Sequence, residues 1–105
     1  MKNILPTTPQ NLSSQIDYQA DSIISKVLYQ DEKMNLTLFA VGQGQEFSPH
    51  TTTRKAIVHI VEGEGQFMLG DDWHDFKMND YFFMEENTLH AIKATRNFKF
   101  LLYLF

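Results

Sequence analysis

From Ser22 onward, short runs rich in β-branched and aromatic residues recur roughly every eight to twelve residues, separated by turn-forming residues. That rhythm accommodates strands and leaves no room for an amphipathic helix of useful length, so it predicts an all-β sandwich or barrel. Strands are expected near 22–29, 34–42, 55–62, 65–70, 73–78, 80–85, 89–94 and 98–105. The breaks carry turn chemistry at Asp31-Glu32, Gly42 to Gly44, Gly63, Gly70-Asp71-Asp72, Asn79-Asp80, Glu86-Asn87 and Arg96-Asn97. A chain of 105 residues can bury one core and not two, and its nine Phe favour a filled interior. The expected organisation is an N-terminal arm over 1–20 and a single β-barrel domain over 21–105. The arm is polar with apolar anchors at Ile4, Leu5, Leu12 and Ile16, and Pro6 and Pro9 oppose a long helix there.

Residues two apart in a strand share a face, so alternation indicates what each strand buries. Met34, Leu36, Leu38 and Ala40 lie opposite Asn35 and Thr37, the pattern of a half-buried strand. The run from Ala56 differs: Ala56, Val58 and Ile60 make one apolar face, while Ile57, His59 and Val61 make a second that is also mostly apolar. The last strand repeats this doubling, with Phe98, Phe100, Leu102 and Leu104 opposite Leu101, Tyr103 and Phe105. A barrel interior takes only one face of each strand. Covering the other is worth about 1.5–3 kcal/mol per fully buried large side chain, and a second subunit is the simplest cover. A homodimer is therefore expected, with Ile57, His59 and Val61 at the interface and the arm a candidate to cross to the partner.

Composition narrows the functional classes. Nine Lys and Arg against 13 Asp and Glu give a net charge of −4, which provides no electrostatic footprint for nucleic acid or an anionic membrane. The absence of Cys excludes disulfides, zinc–thiolate sites and thiol nucleophiles, and fits a reducing compartment. Met1 to Pro6 lacks an apolar signal-type core, and no stretch approaches the roughly 18 apolar residues of a spanning helix. A soluble, cytoplasmic protein is the expectation.

The chemistry-bearing residues sit in a recognisable frame. Gly44 is followed after five residues by His50, and Gly63 lies within the run Val61 to Gly65, V-E-G-E-G. This spacing resembles the first motif of the cupin superfamily, G-x5-H-x-H-x3-4-E-x6-G. The resemblance extends over most of the chain from about Ser22. It implies the double-stranded β-helix, or jelly-roll barrel, of a small RmlC-like cupin. Thr52 stands at the second His position and Ala56 at the Glu position, or Lys55 on the shorter spacing. The second family pattern, G-x5-P-x-G-x2-H-x3-N, matches only at His90, with Asn79, Glu85, Asn87 and Ala94 at its other positions.

In the family, three His and one carboxylate hold a metal, because neutral imidazole and carboxylate suit Fe, Mn, Ni, Cu or Zn. The resemblance places His50 and His90 at two of those ligand positions, pointing into the barrel. A hydroxyl at Thr52 and a methyl at Ala56 do not replace the other two, so a divalent ion is expected at low occupancy or not at all. The expected ligand pocket comprises His50, Thr52, Val58 and His90. Three functions fit: a binding or sensing module for a small, partly apolar molecule; a metal-dependent dioxygenase or isomerase, or a metal-free acid–base enzyme, using His50 and His90; and a structural barrel without ligand. Each singled-out residue also has a plainer reading. The two His can be hydrogen-bonded interior groups, His74 a rim residue beside Trp73, Arg54 and Lys55 part of a solvated loop, Glu62 and Glu64 solvent-facing turn residues, and the Met and Phe82-Phe83 core packing.

Overall fold

The computed structural model describes residues 5–105, so the Ile4 anchor and the first residues of the arm lie outside it. After a short 3-10 turn, Ser13–Gln15, the chain forms eight strands: β1 (Ile23–Gln30), β2 (Asn35–Val41), β3 (Glu46–His50), β4 (Ala56–Leu69), β5 (Asp72–Lys77), β6 (Tyr81–Met84), β7 (His90–Lys93) and β8 (Phe98–Leu104). Every pairing is antiparallel, in the order β1-β2-β8-β4-β7-β3, with β5 and β6 also paired to β4. The curled sheet is the all-β barrel expected from the strand rhythm.

Two elements depart from that expectation. The strands expected at 55–62 and 65–70 are one 14-residue strand, β4. Its first half pairs with β6 and β8 and its second half with β5 and β7, so it carries the sheet round the barrel. Gly63 makes this bend instead of ending the strand. Its φ is +85°, and a Cβ there would sit 2.2 Å from the Asn97 carbonyl oxygen and 2.6 Å from Phe98 Cα. The other departure is β3, which no expected strand covers and which contains Pro49. It stands at the end of the strand order, where a missing N–H is tolerated.

Left-handed backbone falls on the family frame. Gly44 and Gly63 of the first motif have φ of +87° and +85°, and Asn79 and Asn87, at the glycine positions of the second pattern, have φ of +73° and +63°. Asn is the residue after Gly that best tolerates this region, so the second motif persists in conformation where it is lost in residue type.

The interior is filled by alternate residues: Ala56, Val58 and Ile60 of β4, Phe98 and Phe100 of β8, Val41, Phe67, Phe76, Phe82 and Met84. Phe39 stacks on Phe100 at 4.7 Å and Phe67 on Phe82 at 3.8 Å between ring centroids. The half-buried reading of β2 is corrected: both its faces are covered. Thr37 and Val41 are buried, and so are Leu38 and Ala40 on the opposite face, which packs with Ile16, Leu101, Leu12 and Tyr18. The described part of the arm thus lies over the outside of its own barrel.

Candidate functional site

The site begins with a pairing between two short strands. β3 runs antiparallel to β7 with His50 directly opposite His90, after a register shift between Phe47 and His50. Their rings lie 4.1 Å apart, tilted by 58°. His90 is buried and His50 is exposed, so the pair reaches from the interior to the barrel mouth.

Each ring is held in the same way. His50 Nδ1 lies 2.6 Å from the Ser48 carbonyl oxygen, and His90 Nδ1 lies 2.8 Å from that of Thr88. A carbonyl only accepts, so in each neutral ring Nδ1 carries the proton and donates it, and the lone pair is on Nε2. Neither Nε2 has a hydrogen-bond partner among the described residues. No buried side-chain nitrogen or oxygen there lacks one, so Nε2 of His90 borders accessible space. Burial pushes the His90 imidazole below its ordinary pKa; the neighbouring His50 adds to the shift and the Thr88 bond opposes it. The buried member is thereby held neutral.

Both rings line a cavity of about 160 Å³ whose remaining walls are Phe39, Phe47, Val58, Met84, Ile92, Phe100 and Leu102. Of the four pocket residues expected from sequence, His50, Val58 and His90 meet here. Thr52 is not in the wall: its carbonyl accepts the Asn87 N–H at 2.7 Å and its hydroxyl lies 3.4 Å from the Arg54 N–H. Ile57, His59 and Val61 are half-buried and point away from the cavity, since Ala56, Val58 and Ile60 face inward. Of the other wall residues, Phe100 and Leu102 were placed together on one face of the last strand, whereas Phe39 and Phe47 were not anticipated. Phe47 went unseen with β3, and Phe39 lay on the face of β2 assumed to be polar.

The donor set does not fit the divalent centre that the fold family implies. Among the described residues no three His, Cys, Asp or Glu converge. The position of the family's carboxylate is Ala56, buried beside Met84 in the β4–β6 pairing. Two neutral nitrogens without a carboxylate leave a divalent ion largely to water.

Other singled-out residues take structural places. Glu62 is half-buried and engaged: it accepts the Tyr18 hydroxyl at 2.7 Å and lies 3.7 Å from the ammonium of Lys99. Burial opposes its ionisation, but Tyr18, Ser13 and Lys99 outweigh burial and hold its carboxyl below the ordinary range. Lys99 is buried, donates to the Ser13 carbonyl and lies over the Tyr18 ring at 4.9 Å. Tyr18 in turn is raised above the ordinary phenol value, first by burial and then by Glu62. These four residues pin the arm to the barrel. Glu64 pairs with Arg96 on the surface, His74 stacks on Phe67 at the rim, and Arg54 is engaged by the Lys33 carbonyl.

The family model for the AraC-like ligand-binding domain matches residues 35–104. The chain belongs to this family, a cupin family. Among curated proteins no match was found. Solved structures similar to this AraC-like cupin domain include a cupin superfamily protein from Desulfitobacterium hafniense, 24% identical over 99% of this chain and 96% of its own, with a TM-score of 0.91. A conserved protein of unknown function from Streptococcus pyogenes is also 24% identical, over 97% and 90%, at 0.89. An RmlC-like cupin from Desulfovibrio desulfuricans is 20% identical, over 94% and 96%, at 0.81. At these identities the likeness establishes the fold alone.

Proposed function

We propose that this cupin is a binding module that takes a small, partly apolar molecule into the barrel, with His50 and His90 holding its polar end. The observation that carries this reading is a pair of imidazoles with free Nε2 atoms in the wall of an otherwise apolar cavity. Sites of this kind combine apolar walls with a few placed polar groups. At about 160 Å³ the cavity is near the roughly 150 Å³ that holds one benzene in a protein core, so the ligand, or its inserted part, is of that size. A neutral Nε2 accepts from a hydroxyl or protonated carboxyl. We further propose that the chain acts as a homodimer through the outer face of β4, with Ile57, His59 and Val61 in the interface.

The test is a screen of small phenols and aromatic or branched carboxylic acids by protein-observed NMR, with His50→Ala and His90→Ala in parallel. The reading expects shifts at Val58, Ile92 and Leu102 that vanish in both variants. Should no compound of that size perturb these methyls, the filled structural barrel takes its place.

A further inference from the structure

We infer that a second site, outside the barrel, binds an amphipathic monocarboxylate, with the apolar chain beneath the arm and the carboxylate on Lys26. The inference does not rest on the reading of the inner cavity. The two lie on opposite faces of β8, with Leu102 in the wall of the inner one and Leu101 and Tyr103 in the wall of this one.

The first support is room. Between the arm and the outer face of β1, β2 and β8 is an open cavity of about 550 Å³, against about 160 Å³ inside the barrel. Leu28, Leu36, Leu101 and Tyr103 give it an apolar floor, and Leu12 borders it from the arm. Small-molecule sites span roughly 300–1,000 Å³. Scaled from roughly 150 Å³ for the six carbons of benzene, a chain of about ten carbons occupies about half of the outer cavity and exceeds the inner one.

The second is an irregularity in β1. Its register against β2 passes from Val27 opposite Thr37 to Tyr29 opposite Leu36, which leaves Leu28 as an extra residue. Regular alternation sends successive side chains to opposite faces, yet Lys26, Val27 and Leu28 all line the cavity. A bulge re-aims side chains in this way, and bulges gather beside active sites. Val27 is left 46% exposed, an apolar side chain turned to the opening.

The third is charge. Among the described residues Lys26 is the one charged side chain in the wall, and no carboxylate pairs with it. Its ammonium donates to the carbonyl and to Oε1 of Gln15, both at 3.4 Å. Gln15 Nε2 donates to Gln10 Oε1 at 3.4 Å and Gln10 Nε2 to Thr8 Oγ1 at 3.2 Å, so a polar rail runs from Lys26 along the arm. These bonds are exposed, neutral on the acceptor side, and at or beyond the long end of the usual range of about 2.7–3.2 Å. A carboxylate replaces the contacts of Lys26 with a shorter, charge-assisted one. One cation matches a single negative charge, and the apolar floor calls for a chain rather than a bare anion.

The experiment titrates the full chain with decanoate, and with decanol as the uncharged probe of equal length, followed by methyl NMR. The expected result is saturable binding of one equivalent of decanoate with shifts at Leu28, Leu36 and Leu101. Lys26→Gln, at an exposed position, should weaken decanoate by about tenfold or more and leave decanol unchanged. Val27→Glu, also at an exposed position, sets a carboxylate in the wall and should abolish decanoate binding. Equal decanoate affinity in Lys26→Gln would overturn the assignment of the anion. Shifts confined to Val58, Ile92 and Leu102 would place the molecule inside the barrel, and a response that never saturates would mean nonspecific partitioning; either result overturns the site. So would concentration-dependent shifts at Leu36 and Leu101 without any ligand, the mark of a second copy filling the cavity. His50→Ala should bind decanoate as the wild type does, which separates this test from that of the inner cavity.

Discussion

His90 joins burial, a fixed tautomer and a neighbouring imidazole in one side chain, and its protonation should be measurable as stability. Its folded-state pKa lies below the ordinary imidazole value, first because of burial. The unfolded chain therefore binds the proton first as pH falls. Its contribution to stability is complete above about pH 6.5 and is lost progressively below that, down to the folded-state pKa. Urea unfolding from pH 7.5 to 5 should show this fall, and His90→Gln, which cannot charge, should flatten it. An NMR midpoint for His90 at or above the free-imidazole value would defeat this account. At this scale much was legible: the resemblance to the family frame placed His50 and His90 on neighbouring strands, and the two side chains meet. Asn79 and Asn87 were read as mismatches because residue type was compared where backbone conformation is what the positions require. Thr52 was counted into the pocket by alternation, but it lies beyond the end of β3, where alternation no longer applies.

Among the elements, the arm from Leu12 to Tyr18 is held by a compact set of charges. The ammonium of Lys99, with 8% of its side chain exposed, is satisfied by Glu62, the Ser13 carbonyl and the Tyr18 ring. Removing Glu62 leaves that ammonium buried without its counter-charge. Because Glu62 keeps 33% side-chain exposure, Glu62→Gln should cost about 1–3 kcal/mol, less than for a fully buried pair. Proteolysis within residues 5–18 should accelerate with it. Lys99→Met retains the apolar stem, and combining it with Glu62→Gln should cost less than the two changes summed. Cleavage at the wild-type rate in Glu62→Gln would mean that the cluster does not hold the arm. No sequence signal pointed to this arrangement, since Glu62 sits in a turn-like V-E-G-E-G run and its partners lie 44 and 37 residues away. β3 was missed because its five residues, E-F-S-P-H, carry no strand-like run of β-branched or aromatic residues and its pairing with β7 is set by tertiary position.

The whole molecule shows which of its doubled apolar faces are covered. Over β1, β2 and β8 the cover is the chain's own arm, packed on Leu38, Ala40 and Leu101. Beside it, the outer face of β4 around Ile57 and His59, together with β6, is only half covered, while Val61 packs against the arm's cluster. Ile57 pairs with Phe83 and His59 with Tyr81, and Phe83 and Tyr81 are 44% and 72% exposed. On the proposed homodimer a second copy covers these side chains, so the protein should sediment as a dimer at micromolar concentration and Ile57→Glu should sediment as a monomer that remains folded. A wild-type monomer under those conditions would sink the interface. The doubling was legible in Ile57, His59 and Val61. What covers each face was not, because alternation reports that a surface is apolar and says nothing about what meets it.

The order of pairing also carries a kinetic consequence. β8 lies between β2 and β4, so its residues bridge two strands that do not otherwise touch side by side. Until Phe98–Leu104 inserts, β1–β2 and the strands joined to β4 are separate sheets, β2 and β4 each lack a partner along one edge, and Phe98 and Phe100 are missing from the aromatic core. Closure therefore waits on contacts between segments some sixty residues apart in sequence, as Leu38 with Leu101. Folding should run in the slow, millisecond-to-second range of β-topologies, and the interval before β8 docks is when this chain is most exposed to aggregation.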